Sequence, residues 1–302
     1  MAYFALGILV IGAWVSAIVF IGSVSMNGSV NASYDSQLKD VVWSTETTWF
    51  VWLTFFSIFW LISFIICCNE FVIIVAACTW YFSRKDIPDD DGIPGDSEVC
   101  KGYTWSMRYH LGSISLGSFI LMFVWMVRHI FEYIGHRLQD ATGENCCTKC
   151  LLCCCLCCLS CFDRFIRYLT ENAFIYQAIS CEGFCSSAIH SFLLMLKNSV
   201  KFSMVDGLAS VFIFIAKCLI SVTVTWISYL LLGVMVEDDI HSTFVPLLII
   251  FLVSYMTSAI FVGILEVGSN TILQCYLIDK ELSEHGGVDS QHVPKRLLKF
   301  MK

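Results

Sequence analysis

Charged side chains are scarce in this chain of 302 residues: Asp, Glu, Lys and Arg together make up 14% of it, whereas hydrophobic residues make up 57%. A soluble domain usually carries about 25% charged residues, and the mean hydropathy here is +0.74. The charged residues are too few to cover a water-facing surface. They lie in a few blocks between long apolar runs. These features predict an integral membrane protein.

The sequence also lacks the short segments of alternating hydrophobicity that build a transmembrane β-barrel. Its apolar runs are instead long enough for helices that cross the bilayer, which need about 20 residues each. A helix satisfies its own backbone hydrogen bonds in a solvent that offers no partners. The predicted fold class is therefore all-α, a polytopic membrane protein of about six spanning helices plus a cytosolic amphipathic helix.

Three classes of function find no support in the sequence. The net charge is −7, and no basic patch interleaved with aromatic residues lies outside the segments that flank the apolar runs, so we expect no nucleic acid partner. There is no phosphate-cradling glycine loop and no Ser/His/Asp arrangement, so we expect neither an enzyme nor a cofactor. No segment resembles the selectivity filter of a channel.

The predicted spans are 4–24, 49–82, 109–134, 150–179, 211–232 and 245–266. The first is interpreted as a spanning helix rather than a signal peptide, because no basic segment precedes it and it is long for a signal-peptide core. Residues 84–95 contain prolines and glycines that are typical of a loop. Residues 184–202 are predicted to form the amphipathic helix. Its expected apolar face consists of Phe184, Ala188, Phe192 and Leu196.

The distribution of Lys and Arg predicts the orientation, because cytoplasmic loops carry the excess of these residues. Residues 25–48 contain one and residues 233–244 none, whereas the tail 275–302 contains five, so we expect the two loops outside and the tail in the cytosol. An outside first loop and a cytosolic tail require an odd number of crossings between them. Segment 150–179 is therefore predicted to cross, although it carries charges. The alternative is that it is acylated and lies on the membrane surface, while the second or third run is re-entrant.

Two glycosylation sequons lie in the first polar loop, at Asn27 and Asn31. Two sequons in one loop favour an extracellular location, and both asparagines are candidates for modification. Both sequons lie close to the end of the first apolar run, which disfavours their glycosylation.

Nine of the sixteen residues from Cys146 to Cys161 are cysteine. Some are spaced as in a zinc ribbon, but a ribbon needs turns around each pair, whereas this segment reads as a continuous helix at a membrane boundary. No metal site is therefore predicted. S-acylation is the favoured interpretation, with Cys153, Cys154, Cys157 and Cys158 as candidates. Packing of the thiols as small hydrophobes is the alternative.

A set of residues from about Trp60 onward recurs in the order and spacing of a known family. The set comprises Arg108 to Ser113, Gly117, Ser118, the cysteine-rich segment, Asn172 to Phe174, Phe184 to Ala188, Phe192, Asn198, Lys217, Glu266, Cys275, Tyr276 and Asp279. On these residues the chain resembles the choline transporter-like family of solute carriers. The match extends over roughly 240 residues, which is more specific than any single motif.

This resemblance implies a plasma-membrane carrier for choline or a related organic cation, with ten spanning helices, cytosolic termini and a large loop after the first helix. The chain is then expected to supply the last six crossings, as a fragment or short isoform of a larger carrier. Its expected partners are the lipid bilayer, a quaternary ammonium such as choline, and either the missing N-terminal helices or a second copy of the chain. The alternative function is a non-transporting regulatory or assembly partner derived from such a carrier.

Glu70 and Glu266 lie in or beside apolar runs, where an ionised carboxylate costs at least about 2.5 kcal/mol unless it faces a polar pathway. We therefore expect them to line the substrate pathway, together with the neighbouring Asn69 and with Asn270. Asn270 stands where the family usually has an aspartate, and Asn69 and Glu70 stand where it often has two glutamines. The alternative is a structural pair in which Lys217 neutralises one of the two carboxylates.

Aromatic faces hold quaternary ammonium ions, and each such contact is worth about 0.5–2 kcal/mol. Trp60 lies deep in the second apolar run and is a candidate for this role. Trp49, Trp80 and Tyr81 lie at the ends of that run, where aromatic residues usually anchor a helix at the membrane interface.

Overall fold

A computed structural model describes residues 2–26, 45–82, 96–142, 146–235 and 244–286, so the sequons at Asn27 and Asn31 lie outside the described residues. Within these ranges the regular structure consists of eight helices and includes no strand. The helices are α1 (Ala2–Met26), α2 (Thr45–Phe82), α3 (Asp96–Arg108), α4 (Leu111–Thr142), α5 (Cys146–Ser180), α6 (Phe184–Lys197), α7 (Ser199–Met235) and α8 (Phe244–Gly286). The all-α fold class predicted from the sequence is confirmed.

The chain divides into two compact units. Unit 1 comprises Met1–Asn69 and Tyr109–Thr170, and unit 2 comprises Glu70–Arg108 and Glu171–Lys302. The boundary between the units falls once within α2 and once within α5, so one end of each of these helices belongs to each unit. Each unit has its own internal packing.

Four helices in the described part of the chain are long and apolar enough to cross a bilayer. Their spans are Thr48–Phe82, Leu111–Gly135, Met204–Leu232 and Phe244–Ser283. In α1 a shorter apolar stretch is described over Gly7–Phe20, and α5, which carries several charges, is not among the four. On α7 and α8, Phe212 is 64% exposed and Ile260 72%, as expected of side chains that face lipid. The count of six crossings stays a prediction.

In unit 1, α4 and α5 pack as an antiparallel pair. Arg128 on α4 contacts Asp163 on α5, with 3.0 Å between Nη1 and Oδ2, and Arg167 Nη2 lies 3.8 Å from the other carboxylate oxygen. Further along, a Cβ added to Gly135 would overlap the side chain of Leu152, so the two backbones approach closely there. From the first contact to the second the residue number rises along α4 and falls along α5, so the two helices are antiparallel. The Asp163 side chain is buried between its two basic partners.

In unit 2, a core of aromatic rings joins α2, α5 and α6. Phe174 on α5 is fully buried, and its ring centroid lies 6.0 Å from that of Phe71 and 5.6 Å from that of Phe184. The contact between α2 and α8 brings two buried thiols together, with 3.7 Å between the Sγ atoms of Cys78 and Cys275. These contacts join helices that are far apart in the sequence.

The loop predicted from the prolines and glycines of residues 84–95 lies outside the described residues, and α3 occupies Asp96–Arg108 directly after it. The prolines and glycines on which the prediction rested end at Gly95, and the helix begins at the next residue. A breaker ends the helix before it and does not prevent another from starting directly after it.

The predicted helix over residues 184–202 is also divided, because α6 ends at Lys197 and α7 begins at Ser199. Asn198 between them donates its side-chain amide to the carbonyl oxygen of Leu194 at 3.2 Å, which competes with the helical backbone bonds. Of the predicted apolar face, Phe184 is buried and Leu196 is 55% exposed. The face that packs consists of Phe184, Ser187, Ser191, Leu194 and Met195.

The segment assigned to the cytosolic tail, 275–302, begins inside α8, which continues to Gly286. Cys275 and Leu277 are at most 2% exposed, because α8 packs against other helices of unit 2 over this stretch. Lys197 on α6 holds the same part of α8 through an ion pair with Glu281, with 2.9 Å between Nζ and Oε1. Residues 287–302 lie outside the described part of the chain.

Replacing Gly102 with valine is expected to destabilise unit 2 by about 1–3 kcal/mol through overpacking. A Cβ at Gly102 would lie 3.0 Å from the carbonyl oxygen of Val72 on α2, and this backbone atom is not free to move aside. Gly112→Val is the matched control, because a Cβ there meets nothing within 4 Å. Thermal unfolding followed by tryptophan fluorescence in detergent compares the two variants, and equal melting temperatures would contradict the α2–α3 contact.

Candidate functional site

Three acidic side chains from different helices come together in unit 2: Glu171 on α5, Asp206 on α7 and Glu266 on α8. Glu171 lies within electrostatic range of both others, and Asp206 within range of Glu266. Asn270 donates its side-chain amide to Glu171 Oε1 at 3.2 Å. Lys217 pairs with Glu266, with 3.3 Å between Nζ and Oε2. We call these five residues the acidic cluster.

Helical spacing explains how the sequence builds this cluster. Glu266 and Asn270 are four residues apart and therefore share one face of α8. Asp206 and Lys217 are eleven residues apart, about three turns, and therefore share one face of α7. These two faces meet, and the chain segment that starts at Glu171 on α5 closes the cluster from the side of Asn270.

Among the described residues, the acidic cluster contains three carboxyl groups and one basic side chain, Lys217, which pairs with Glu266. Charges in a membrane span are expensive and are normally retained where they serve an ion or substrate pathway. The side chain of Glu266 is 44% exposed and that of Lys217 18%, so the cluster is open on the side of Glu266. The arrangement is suited to attract a cation.

A buried amide extends the polar face of α8 beyond the acidic cluster. Gln274 follows Asn270 by one turn, is fully buried, and donates its amide to the backbone carbonyl of Asn172 at 3.2 Å. Its carbonyl oxygen Oε1 has no hydrogen-bond partner among the described residues. Such an atom is expected to have a partner when buried, so the polar face has an unfilled acceptor next to the cluster.

The structure brings some of the predicted pathway residues together and leaves others apart. Glu266 and Asn270 both lie in the acidic cluster. The predicted structural pairing of Lys217 is also observed, with Glu266 rather than Glu70 as its partner. Glu70 is partly buried at the start of the α2 segment in unit 2, and the exposed Asn69 belongs to unit 1.

Two members of the acidic cluster, Glu171 and Asp206, were not identified from the sequence. Glu171 is one of several charges in segment 150–179, and Asp206 lies between two predicted elements. Their signal was the same as that of Glu266, a carboxylate within or beside an apolar run. The missing information was which helices pack together.

Trp60, the aromatic candidate, lies in unit 1. Its ring packs edge-on against Phe119 with 6.2 Å between centroids, and Phe119 also lies 6.2 Å from Phe56. Its indole Nε1 is buried without a hydrogen-bond partner among the described residues. Trp49 at the start of α2 is 72% exposed, as expected of an interfacial anchor, whereas Tyr81 is 3% exposed and therefore does not form one.

Tyr81 instead has a partner in the core of unit 2. Its hydroxyl lies 3.5 Å from Asp279 Oδ2 on α8, and the side chains of both residues are buried. The end of an apolar run predicted an interfacial position for this tyrosine, but α2 packs against α8 at this point and covers it. The prediction failed because it used position along the run and no information on packing.

A groove of about 620 Å³ lies between α7 and α8 on another part of unit 2. Its walls are mainly aliphatic, with Ser254, Thr257 and Ser258 as the polar residues. Ser221 on α7 lies 3.5 Å from Ser258 on α8, which is typical of close helix packing in membranes. No charged residue lines the groove, so it does not complement a cation.

The predicted acylation candidates Cys153, Cys154, Cys157 and Cys158 are all exposed on α5. They lie in a continuous helix, as the sequence predicted. In the described part of the chain no group of three His, Cys, Asp or Glu residues is placed to hold a metal ion.

Comparison with known proteins gives consistent matches. A family model described as plasma-membrane choline transporter matches residues 1–281. Choline transporter-like protein 1 of Rattus norvegicus is 26% identical over 289 residues, which are 96% of this chain and 42% of that protein. The protein of the same name from Caenorhabditis briggsae is 31% identical over 259 residues, 84% of this chain and 32% of the relative. Choline transporter-like protein 2 of Salmo salar is 28% identical over 252 residues, which are 82% of this chain and 35% of that protein.

These matches confirm the resemblance seen in the sequence, and the relatives are named as transporter-like proteins. The chain spans less than half the length of the curated relatives it matches.

Proposed function

Because the chain belongs to the plasma-membrane choline transporter family, we propose that it forms part of a membrane pathway for choline or a related organic cation. In this proposal Glu171, Asp206 and Glu266 attract the cation, and Asn270 orients Glu171. The observation that carries the proposal is the excess of carboxyl groups over basic groups in the acidic cluster.

The chemistry of the substrate fits this arrangement. A quaternary ammonium has no proton to donate, so it is recognised by charge and by contact with apolar or aromatic surface rather than by hydrogen bonds to its nitrogen. A carboxylate at low dielectric interacts with such a charge far more strongly than in water. Trp60 in unit 1 remains a candidate for an aromatic contact along the pathway, and Glu70 in unit 2 for a further carboxylate.

The position of the acidic cluster along α7 and α8 suggests where it lies in the membrane. Asp206 is near the beginning of the span Met204–Leu232, and Glu266 is in the second half of Phe244–Ser283. With the tail in the cytosol, as the Lys and Arg distribution predicts, both residues lie toward the cytosolic ends of their helices. The cluster then forms the inner end of the pathway.

A binding experiment tests the proposal directly. Purified residues 1–302 in phospholipid nanodiscs are expected to bind radiolabelled choline saturably, and tetramethylammonium is expected to compete. The neutral isostere 3,3-dimethyl-1-butanol, which has the shape of choline without the charge, is expected not to compete, because the cluster selects for positive charge. Absence of saturable binding, or equal competition by the neutral isostere, would contradict the proposal.

The second candidate function is a non-transporting partner of a larger carrier. Reconstituted liposomes separate the two functions: a carrier accumulates choline with time down an imposed gradient, whereas a partner binds it without accumulation.

A further inference from the structure

The cysteine-rich segment of α5 has two different faces. Residues that pack toward α4 recur along one side of the helix, including Leu152 against Gly135 and Asp163 against Arg128. On the opposite side, within an arc of about 140° at 3.6 residues per turn, lie five exposed cysteines. They are Cys153, Cys154, Cys157, Cys158 and Cys161, and we call them the thiol face.

This placement decides between two interpretations of the cysteines. Cysteines that serve as small hydrophobes are usually buried, as Cys67, Cys68, Cys78 and Cys275 are here. The cysteines of the thiol face are exposed and not disulfide-bonded. The packing of unit 1 does not require cysteine on this side of the helix, so these thiols are available for chemistry.

The residues that follow the thiol face are those of a membrane interface. Phe162 is 51% exposed and Phe165 45%, and the exposed Arg164 lies between them. Exposed aromatic rings next to basic side chains are typical of a helix that lies in the headgroup region, with its apolar residues toward the acyl chains. A thiol on this surface is at the depth where an acyl chain attached to it enters the bilayer.

We propose that the thiol face is a site of S-acylation by long-chain fatty acids. The sulfur of a cysteine attacks the thioester carbonyl of a long-chain acyl-CoA, so that a new bond from sulfur to the carbonyl carbon forms as the bond to the CoA sulfur breaks. The thiol proton leaves with the CoA, which is released as the free thiol. The reaction needs no oxidant or reductant, and a membrane-bound acyltransferase supplies the catalysis.

The proposal also places α5. Acyl-CoA is a cytosolic metabolite, so the thiol face must reach the cytosolic leaflet. The cysteine-rich end of α5 is therefore placed at the cytosolic side of the membrane, where it packs against the end of the α4 span. Several acyl chains on one face anchor such a helix firmly, because a single chain gives only reversible membrane binding.

Acyl exchange in cells tests the proposal with the full chain. Free thiols are blocked with N-ethylmaleimide, thioesters are cleaved with hydroxylamine, and the released thiols are labelled with a maleimide polymer that shifts the protein on a gel. The wild-type chain is expected to show a hydroxylamine-dependent ladder of several steps. Changing the five residues of the thiol face to serine is expected to reduce the shifted fraction at least fivefold.

The matched control replaces exposed cysteines outside the thiol face, with the substitutions Cys100→Ser, Cys181→Ser and Cys185→Ser, and is expected to keep the ladder. Labelling of the unaltered chain with an alkyne fatty acid needs no substitution and so is independent of any folding defect. A wild-type chain without hydroxylamine-dependent shift and without alkyne label would overturn the proposal, as would a ladder that survives in the five-serine variant.

Discussion

Replacing Phe174 with alanine is expected to destabilise the protein by about 3–5 kcal/mol, the usual effect of truncating a fully buried aromatic side chain. Phe174 is 0% exposed and lies between Phe71 on α2 and Phe184 on α6. Three helices lose a common contact when its ring is removed, and the rigid helices do not collapse to fill the space. The melting temperature in detergent, followed by tryptophan fluorescence, should fall by about 10 °C.

Phe162→Ala is the matched control for this prediction, because it truncates the same residue type on the same helix where the side chain is 51% exposed. A surface change of this kind is expected to alter stability by less than about 0.5 kcal/mol. Similar melting temperatures for the two variants would show that the aromatic core does not hold α2, α5 and α6 together.

Neutralising Glu171 by substitution with glutamine is expected to lower the affinity for choline about tenfold or more, equivalent to at least about 1.4 kcal/mol. Glutamine keeps the size of the side chain and a carbonyl oxygen for the bond from Asn270, so the variant removes charge and little else. Asp206 and Glu266 remain, but Lys217 already balances one of them, and the attraction for a cation falls accordingly. The measurement is radiolabelled choline binding in nanodiscs.

The control for charge alone is Glu182→Gln, which neutralises a carboxylate outside the acidic cluster. Glu182 accepts a hydrogen bond from Ser186 at 2.6 Å, and its side chain is 41% exposed. The choline affinity of the Glu182→Gln variant is expected to equal that of the unaltered chain. An equal loss in both variants would indicate a general effect of net charge, and an unchanged affinity in Glu171→Gln would remove Glu171 from the pathway.

Local physics predicted much of the fold. The apolar runs became α2, α4, α7 and α8, because a stretch of about 20 apolar residues has few alternatives to a membrane helix. The cysteine-rich segment proved to be helical for the same reason that it was predicted to be, an unbroken series of Leu and Cys without turn residues. Asn172, Ala173 and Phe174, which carried the family resemblance, are all buried in unit 2.

The errors concern contacts between segments that are distant in the sequence. Tyr81 was predicted at the membrane interface, but α8 covers it and supplies Asp279 as its partner. Glu171 is 99 residues from Asn270, and no local pattern indicates that the two meet. On α6 the packed face includes the small polar residues Ser187 and Ser191, which the apolar spacing did not indicate. Hydrophobic spacing identifies a face only when the packed surface is made of large apolar residues.

The central claim is that a cation occupies the acidic cluster, and protection from chemical modification tests it on the unaltered chain. A hydrophobic carbodiimide reacts with carboxyl groups in apolar surroundings, and mass spectrometry measures the rate at each residue. Saturating choline is predicted to slow the modification of Glu171 at least about fivefold while 3,3-dimethyl-1-butanol leaves it unchanged, because a bound cation covers the carboxyl group and holds it ionised. Modification of Glu171 at the same rate with and without choline would contradict the account.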